Sequence, residues 1–263
     1  MLNEIPEHPR SRKRRIYFLS LIILLDVLIV FSLLFFYPLL TMSPSQSLTS
    51  FNWSGYADAS DLSNPQPLVT SINSSWTVPT VTSLASGDEA YSAVWIGIGG
   101  QFLSDNSLIQ AGTEQDSSHA RTEYSAWYEL LPDNSVAVDS LTISAGDNIT
   151  TTISLSNSTM NSWLIEIRDV TTGQSFQQNF TYNSSMLSAE WIIEAPTVNN
   201  RLRLANFGEV TFTNCAATIG GKVGSIANFP YDDITMNNRQ DTQLVTVSPL
   251  SADGTSFTLN YVT

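Results

Sequence analysis

Residues 163–182 read Trp-Leu-Ile-Glu-Ile-Arg-Asp-Val-Thr-Thr-Gly-Gln-Ser-Phe-Gln-Gln-Asn-Phe-Thr-Tyr, and their periodicity decides the fold class. Trp163, Ile165 and Ile167 alternate with Leu164, Glu166 and Arg168, so one face of an extended chain is apolar. Thr171, Thr172 and Gly173 mark a turn, after which Phe176, Gln178, Phe180 and Tyr182 again share a face. The segment is predicted to be a β-hairpin. Outward from it, similar alternation recurs at residues 149–155, 210–212, 244–247 and 257–261, with Gly, Pro, Asn and Asp in the gaps. No stretch after residue 50 keeps a 3.6-residue apolar period over the length of an ordinary helix. About 210 residues of short strands predict one large all-β sandwich or barrel.

The composition narrows the chemistry. The 263 residues include one cysteine and two histidines, which excludes an internal disulfide framework and a Cys-rich zinc site. A His-based metal centre or a Ser-His-Asp relay is hard to assemble from so few imidazoles. Five of the eleven basic residues fall within the first fifteen positions, whereas beyond residue 40 six Lys/Arg face 21 Asp/Glu, a formal −15. Without clustered Lys/Arg in this part of the chain, no nucleic-acid partner is expected. Ser, Thr and Asn supply 77 of the 223 residues after residue 40, so the exposed polar groups are mostly uncharged. Below the reference carboxyl pKa values of about 3.9–4.3 most of the acidic charge would vanish, leaving a surface that stays soluble in acid.

Residues 16–40 form a 25-residue apolar run, about 37 Å long as a helix at about 1.5 Å per residue, enough to span a bilayer. It is longer than the apolar core of a removable signal and has no clear small-residue cleavage pattern after it. Residues 1–15 are therefore expected as a basic cytoplasmic flank, 16–40 as a transmembrane signal anchor, 41–50 as a flexible Ser/Thr-rich tether and 51–263 as an external β-sandwich domain. Secretion after signal cleavage is the alternative. Asp26 within the run is read as a tolerated cost. Six Asn-x-Ser/Thr sequons, at Asn52, Asn73, Asn148, Asn157, Asn179 and Asn183, fit an extracellular domain.

A site here has to be built from carboxylates, amides and aromatics. Four segments concentrate them: Asn52-Trp53-Ser54-Gly55; residues 94–100 (VWIGIGG) with 108–112 (LIQAG); residues 124–129 (YSAWYE); and residues 189–194 (AEWIIE). In the last, strand alternation puts Glu190, Ile192 and Glu194 on one face and Ala189, Trp191 and Ile193 on the other. Glu190 and Glu194 are then about 13 Å apart, too far for one dyad. Ser125, Trp127 and Glu129 also share a face, and Gln110 falls at or near a strand end.

Taken in order, NWSG, WIGIGG, LIQAG, YSAWYELLP, SAEWIIEAP and FGEVTFT resemble the glutamic peptidases, or eqolisins, from about residue 51 to the C-terminus. The resemblance implies a lectin-like β-sandwich of two antiparallel sheets and an acid endopeptidase that uses a Gln/Glu dyad and an activated water, with no metal, cofactor or covalent intermediate. By motif the dyad falls on Gln110 and Glu190; Trp53 and Trp95 match aromatic positions of the substrate cleft, and Glu129 matches an acid near the dyad. Departures occur at Gly99, Ser125 and Glu114, where characterised fungal members carry Asp. Polypeptide substrates, a membrane contact through the N-terminal helix and a monomer are expected. Two other readings compete: a non-catalytic lectin-like surface module, since fold alone does not set function, and a glycosidase pairing Glu190 with Glu129. Cys215 is expected to be a buried, inert thiol in a strand.

Overall fold

A computed structural model describes residues 44–262 apart from 83–88, 119–120 and 199–200. The expected flank at 1–15, the anchor at 16–40 and the first three residues of the tether lie outside the described residues. Among those described, no helix is long and apolar enough to cross a membrane.

The chain is all-β. In order run β1 (Ser45–Ser50), β2 (Trp53–Ala59), β3 (Val69–Thr77), β4 (Ala90–Ile98), β5 (Ile109–Ser118), β6 (Arg121–Leu130), β7 (Val136–Ala137), β8 (Asn148–Asn157), β9 (Ser162–Asp169), β10 (Ser175–Thr181), β11 (Ser188–Glu194), β12 (Thr197–Val198), β13 (Arg201–Leu202), β14 (Glu209–Ile219), β15 (Lys222–Gly224), β16 (Tyr231–Asn237), β17 (Gln243–Val247) and β18 (Phe257–Tyr261). A short 3-10 turn at Ile226–Asn228 is the single helical element among the described residues.

The predicted hairpin is β9–β10, paired from Ile167↔Phe176 to Trp163↔Phe180, with Trp163, Ile165 and Ile167 buried. One large, almost wholly antiparallel sheet runs β10-β9-β8-β3-β14-β18-β17-β16-β2-β11-β4-β5-β6-β7 and doubles back on itself. The doubling passes through β14, whose Glu209–Phe212 half pairs with β18 while the rest pairs with β3 across a register shift at Thr213/Ala216. Asn214, at φ 55°, sits in that shift. As a result β3 and β8 pack across the core against β4, β5 and β11, consistent with a β-sandwich.

The inner faces fill this core with Trp76, Trp163, Trp191, Phe207 and Phe212, all essentially without exposure. Each such ring buries roughly 150–250 Å², on the order of 4–6 kcal/mol at about 25 cal/mol per Å² before the entropy cost. The indole N–H groups are satisfied inside it. Trp191 donates to the Asn73 carbonyl at 3.1 Å and Trp76 to Thr113 Oγ1 at 3.1 Å, and both bonds cross between the layers. They fix β11 and β5 from beneath, and so fix what those strands present on the opposite face. Cys215 is fully buried in β14, as expected.

The tether expectation needs correcting. From Ser45 onward the segment forms β1, which pairs in parallel with β16 and gives Asp233 a hydrogen bond from Ser47. Five of its six residues are exposed, so it has no apolar face. Its polarity reflects an exposed strand held by backbone pairing and is no sign of a loop.

Candidate active site

On the outer face of β4, β5, β6 and β11, strand register brings together residues that are far apart in sequence. Glu190 on β11 pairs with Ala57 on β2 and with Gly97 on β4; Gly97 pairs with Gln110 on β5, and Gln110 with Glu129 on β6. Ala57 pairs in turn with Asp232 on β16. Directly opposed residues point to the same side of a sheet, so Asp232, Ala57, Glu190, Gly97, Gln110 and Glu129 make one row. Gln110 is the second residue of β5, at the strand end where the sequence put it.

A second row lies beside it, with Ile192, Trp95, Gly112 and Trp127, and a third carries Trp53, Glu194, Ala93, Glu114 and Ser125. Trp95, Trp127, Ile192 and Leu108 form a small apolar cluster separate from the main core. The faces read from alternation at Glu190/Ile192/Glu194 and at Ser125/Trp127/Glu129 both hold. Trp53 is half-buried and meets Trp95 edge-on, with ring centroids 5.0 Å apart. Trp95 has no exposed surface, so it belongs to the floor of this face and does not project from it.

Gly97 separates Glu190 from Gln110. A Cβ there would lie 2.8 Å from Leu108 Cδ1 and 2.9 Å from Trp95 Cζ3, so those side chains border the bare position. Gln110 Nε2 donates to Glu129 Oε2 at 2.5 Å, while Gln110 Oε1 is buried without a partner. Glu190 is fully buried and neither carboxyl oxygen is hydrogen-bonded. Over this end of the row, Gln101 reaches from the β4–β5 loop to Asp232 Oδ2 at 3.0 Å. Asp105 holds the same loop, accepting from Gly100 N, from Ser107 N and Oγ, and from Ser185 Oγ.

Burial dominates the electrostatics. It drives the Glu190 carboxyl well above its ordinary value; the dipole of the nearby Ser188 hydroxyl, which makes no hydrogen bond to it, opposes this and the charge of Asp105 adds to it. Glu129 is also raised by burial, against hydrogen bonds from Gln110 and the Ser135 backbone. Glu194 is pushed up to about 7 by burial, against hydrogen bonds from Trp95, Asn52 and Trp53. Further along β5, burial and then Glu129 raise Glu114; burial, Glu114 and Glu123 push Asp116 up to about 8. Clustered carboxyls lower their mutual repulsion by holding protons, so burial and clustering together favour the protonated form on this face.

A cavity of about 300 Å³ opens beside the row, lined by Gln110, Glu129, Glu114, Trp127 and Glu194 among others. Among the described residues, no group of three His, Cys, Asp or Glu side chains is placed to hold a metal ion. The departures noted in the sequence lie around the row: Ser125 pairs with Glu114, and Gly99, at φ 90°, donates its N–H to the Ser188 carbonyl. Alternation alone did not reveal the role of Gly97, the bond from Trp95 to Glu194 or the Gln101–Asp232 bridge. Trp95, Gly97 and Gly99 at two-residue spacing do signal a strand face stripped of side chains next to a Trp.

Sheet and row define a class: an all-β protein with a carboxylate and a carboxamide set either side of a glycine on one sheet face. The model of the Peptidase A4 family matches residues 51–261, and the chain belongs to that family, the glutamic peptidases or eqolisins, hydrolases that act on peptide bonds. It is 31% identical to Aspergillopepsin-2 of Aspergillus niger over 235 residues, 81% of this chain and 78% of that protein. It is 29% identical to Scytalidopepsin B of Scytalidium lignicola over 194 residues, 69% of this chain and 70% of that protein. A crystal structure of scytalido-glutamic peptidase with a transition state analog inhibitor superposes with a TM-score of 0.66 at 25% identity, covering 81% of this chain and 99% of that one.

Proposed function

We propose that the chain is an acid endopeptidase in which Glu190 and Gln110 form the dyad and Trp53, Trp95 and Glu129 shape the peptide cleft. The observation that carries this reading is the register Glu190–Gly97–Gln110, which opposes a base and an amide across a position with no side chain. A water above Gly97 gives a proton to ionised Glu190 as its oxygen attacks the scissile carbonyl carbon. The Gln110 amide has one N–H committed to Glu129 and a second free for the developing oxyanion; comparable donors are worth about 3–4 kcal/mol. Its unpartnered Oε1 accepts the water's other hydrogen. Glu190 then returns the proton to the amine nitrogen as the C–N bond breaks, and no acyl-enzyme forms.

Burial raises the Glu190 carboxyl, so contact with the polar substrate and the bound water favours its basic form. Glycosidase chemistry with Glu129 is disfavoured. Glu190 and Glu129 stand three strands apart, about 14 Å between backbones at roughly 4.8 Å per strand, with Gln110 between them. We further propose that the domain is tethered outside the cell through residues 16–40, a reading supported by the 25-residue apolar run and the basic residues before it. The test is digestion of an unfolded protein by the full chain between about pH 2 and 5, the range bracketing the Glu reference value. Cleavage that is lost in Glu190→Gln and in Gln110→Ala supports the dyad; cleavage undiminished in both refutes it.

A further inference from the structure

Glu194 closes β11 on the same face as Glu190, but at about 13 Å along the strand it is beyond reach of a scissile carbonyl. Each of its oxygens is nevertheless engaged. Oε2 accepts the indole N–H of Trp95 at 3.0 Å, and Oε1 accepts Nδ2 of Asn52 at 3.2 Å. The far edge of the same indole, at Cζ3, lies 2.9 Å from where a Cβ on Gly97 would be. Trp95 thus spans from the Glu194 row to the bare position between Glu190 and Gln110. Trp53, next in sequence to Asn52, packs edge-on against that ring at 77°.

We propose that Glu194 is a positioning residue of the peptide cleft, which by gripping the Trp95 indole sets how far the ring extends over Gly97 between the dyad side chains. The role rests on the peptidase reading above. A buried aromatic pair fixes ring contact but leaves the indole N–H to choose the rotamer, and Glu194, whose two oxygens are each engaged by a different donor, anchors that N–H at one end and Asn52 at the other. With the grip released, the ring turns into the hollow at Gly97 and competes with substrate for it. Substrate that does bind displaces the ring and meets an unaltered Glu190 and Gln110, so the loss falls on binding and spares turnover.

Steady-state cleavage of one peptide in acid, by the full chain and by Glu194→Gln, Trp95→Phe and the double variant, tests this. Glutamine offers one acceptor oxygen to two donors, and phenylalanine keeps a ring while removing the N–H. Each single variant should raise KM about tenfold with kcat within about twofold, and the double should be no worse than the poorer single. The near-ultraviolet tryptophan signal of Glu194→Gln should change while its thermal midpoint stays near that of the unaltered chain. Unchanged KM, a loss confined to kcat, or additive losses in the double variant would overturn the proposal. If Glu194→Gln does not fold, Trp95→Phe decides alone, and an unchanged KM there overturns it. A failure of the unaltered chain to cleave, or full activity in Glu190→Gln, strikes the peptidase reading itself and this role with it.

Discussion

Glu190 and Gln110 stand two strands apart in exact register, and the residue between them on β4 is Gly97. With no Cβ at that position, no side chain on β4 stands between the two polar groups. Gly97→Ala would set a methyl 2.8 Å from Leu108 Cδ1, 2.9 Å from Trp95 Cζ3 and 3.4 Å from Gln110 Cβ. The crowded atoms are mostly side-chain ends, so the fold should survive with a loss of about 1–3 kcal/mol. Peptide cleavage should fall at least about tenfold, since displaced groups near reacting atoms cost disproportionately. Thermal unfolding and kcat/KM measured on the same preparation separate the two effects.

Glu129 accepts one N–H of Gln110 and so decides which way its amide faces. Burial raises Glu129, so in acid this is a bond to a neutral carboxyl; such bonds are worth about 0.5–1.5 kcal/mol, and Glu129→Ala should lower kcat/KM by roughly 2- to 13-fold. Glu129 is only half-buried, so its removal should cost little stability. A kcat/KM unchanged in folded Glu129→Ala would contradict the orienting role.

Stability should decline as pH rises. Burial raises Glu190 and Asp58, and pushes Glu194 up to about 7 and Asp116 up to about 8. A carboxyl whose folded pKa exceeds its unfolded value binds its proton more tightly in the folded state. Its stabilising effect is fully present below about pH 4 and is lost as pH climbs through the folded value, here through about 7 and 8. The thermal midpoint should therefore be higher at pH 4 than at pH 8. A midpoint that increases toward neutrality would contradict this.

Asp58 isolates the effect. It is fully buried on the core side of β2, and neither oxygen has a hydrogen-bond partner. Burial, and then the charge of Glu190, raise its carboxyl. Asp58→Asn cannot ionise, so its stability should fall less between pH 4 and 8 than that of the unaltered chain. Equal slopes in calorimetry would show that folding does not raise the Asp58 carboxyl and would contradict this.

Cys215 should behave as part of the core. It is fully buried, 3.4 Å from Ser74 Oγ, and burial pushes its thiol up to about 12. A thiol reagent should leave the native chain unlabelled and fully active, and should label it once in denaturant. Rapid labelling of the folded chain would contradict this placement.

The sequence made the strands legible wherever one face was apolar. Trp163, Ile165 and Ile167 announced β9, and the alternation at Glu190/Ile192/Glu194 assigned the outer face of β11. It could not show which strands are neighbours, because β2, β11 and β4 come together from three distant stretches of chain through backbone pairing that no side chain announces. β1 escaped for a related reason: its exposed polar residues look like a loop until β16 pairs with them. Motif likeness singled out Gln110 and Glu190 as the proposed dyad, whereas the spacer Gly97 and the grip of Glu194 on Trp95 depend on cross-strand register and emerged only in three dimensions.

The central claim, that Glu190 is the base opposed to Gln110, is tested most directly by the pH dependence of kcat/KM for one cleaved peptide. The unaltered chain should cleave in acid, and Glu190→Gln, folded at the same pH by thermal unfolding, should lose at least about 10³-fold, as for removal of a group that both takes and returns the proton. A folded Glu190→Gln chain that cleaves with the rate and pH profile of the unaltered protein would contradict the account.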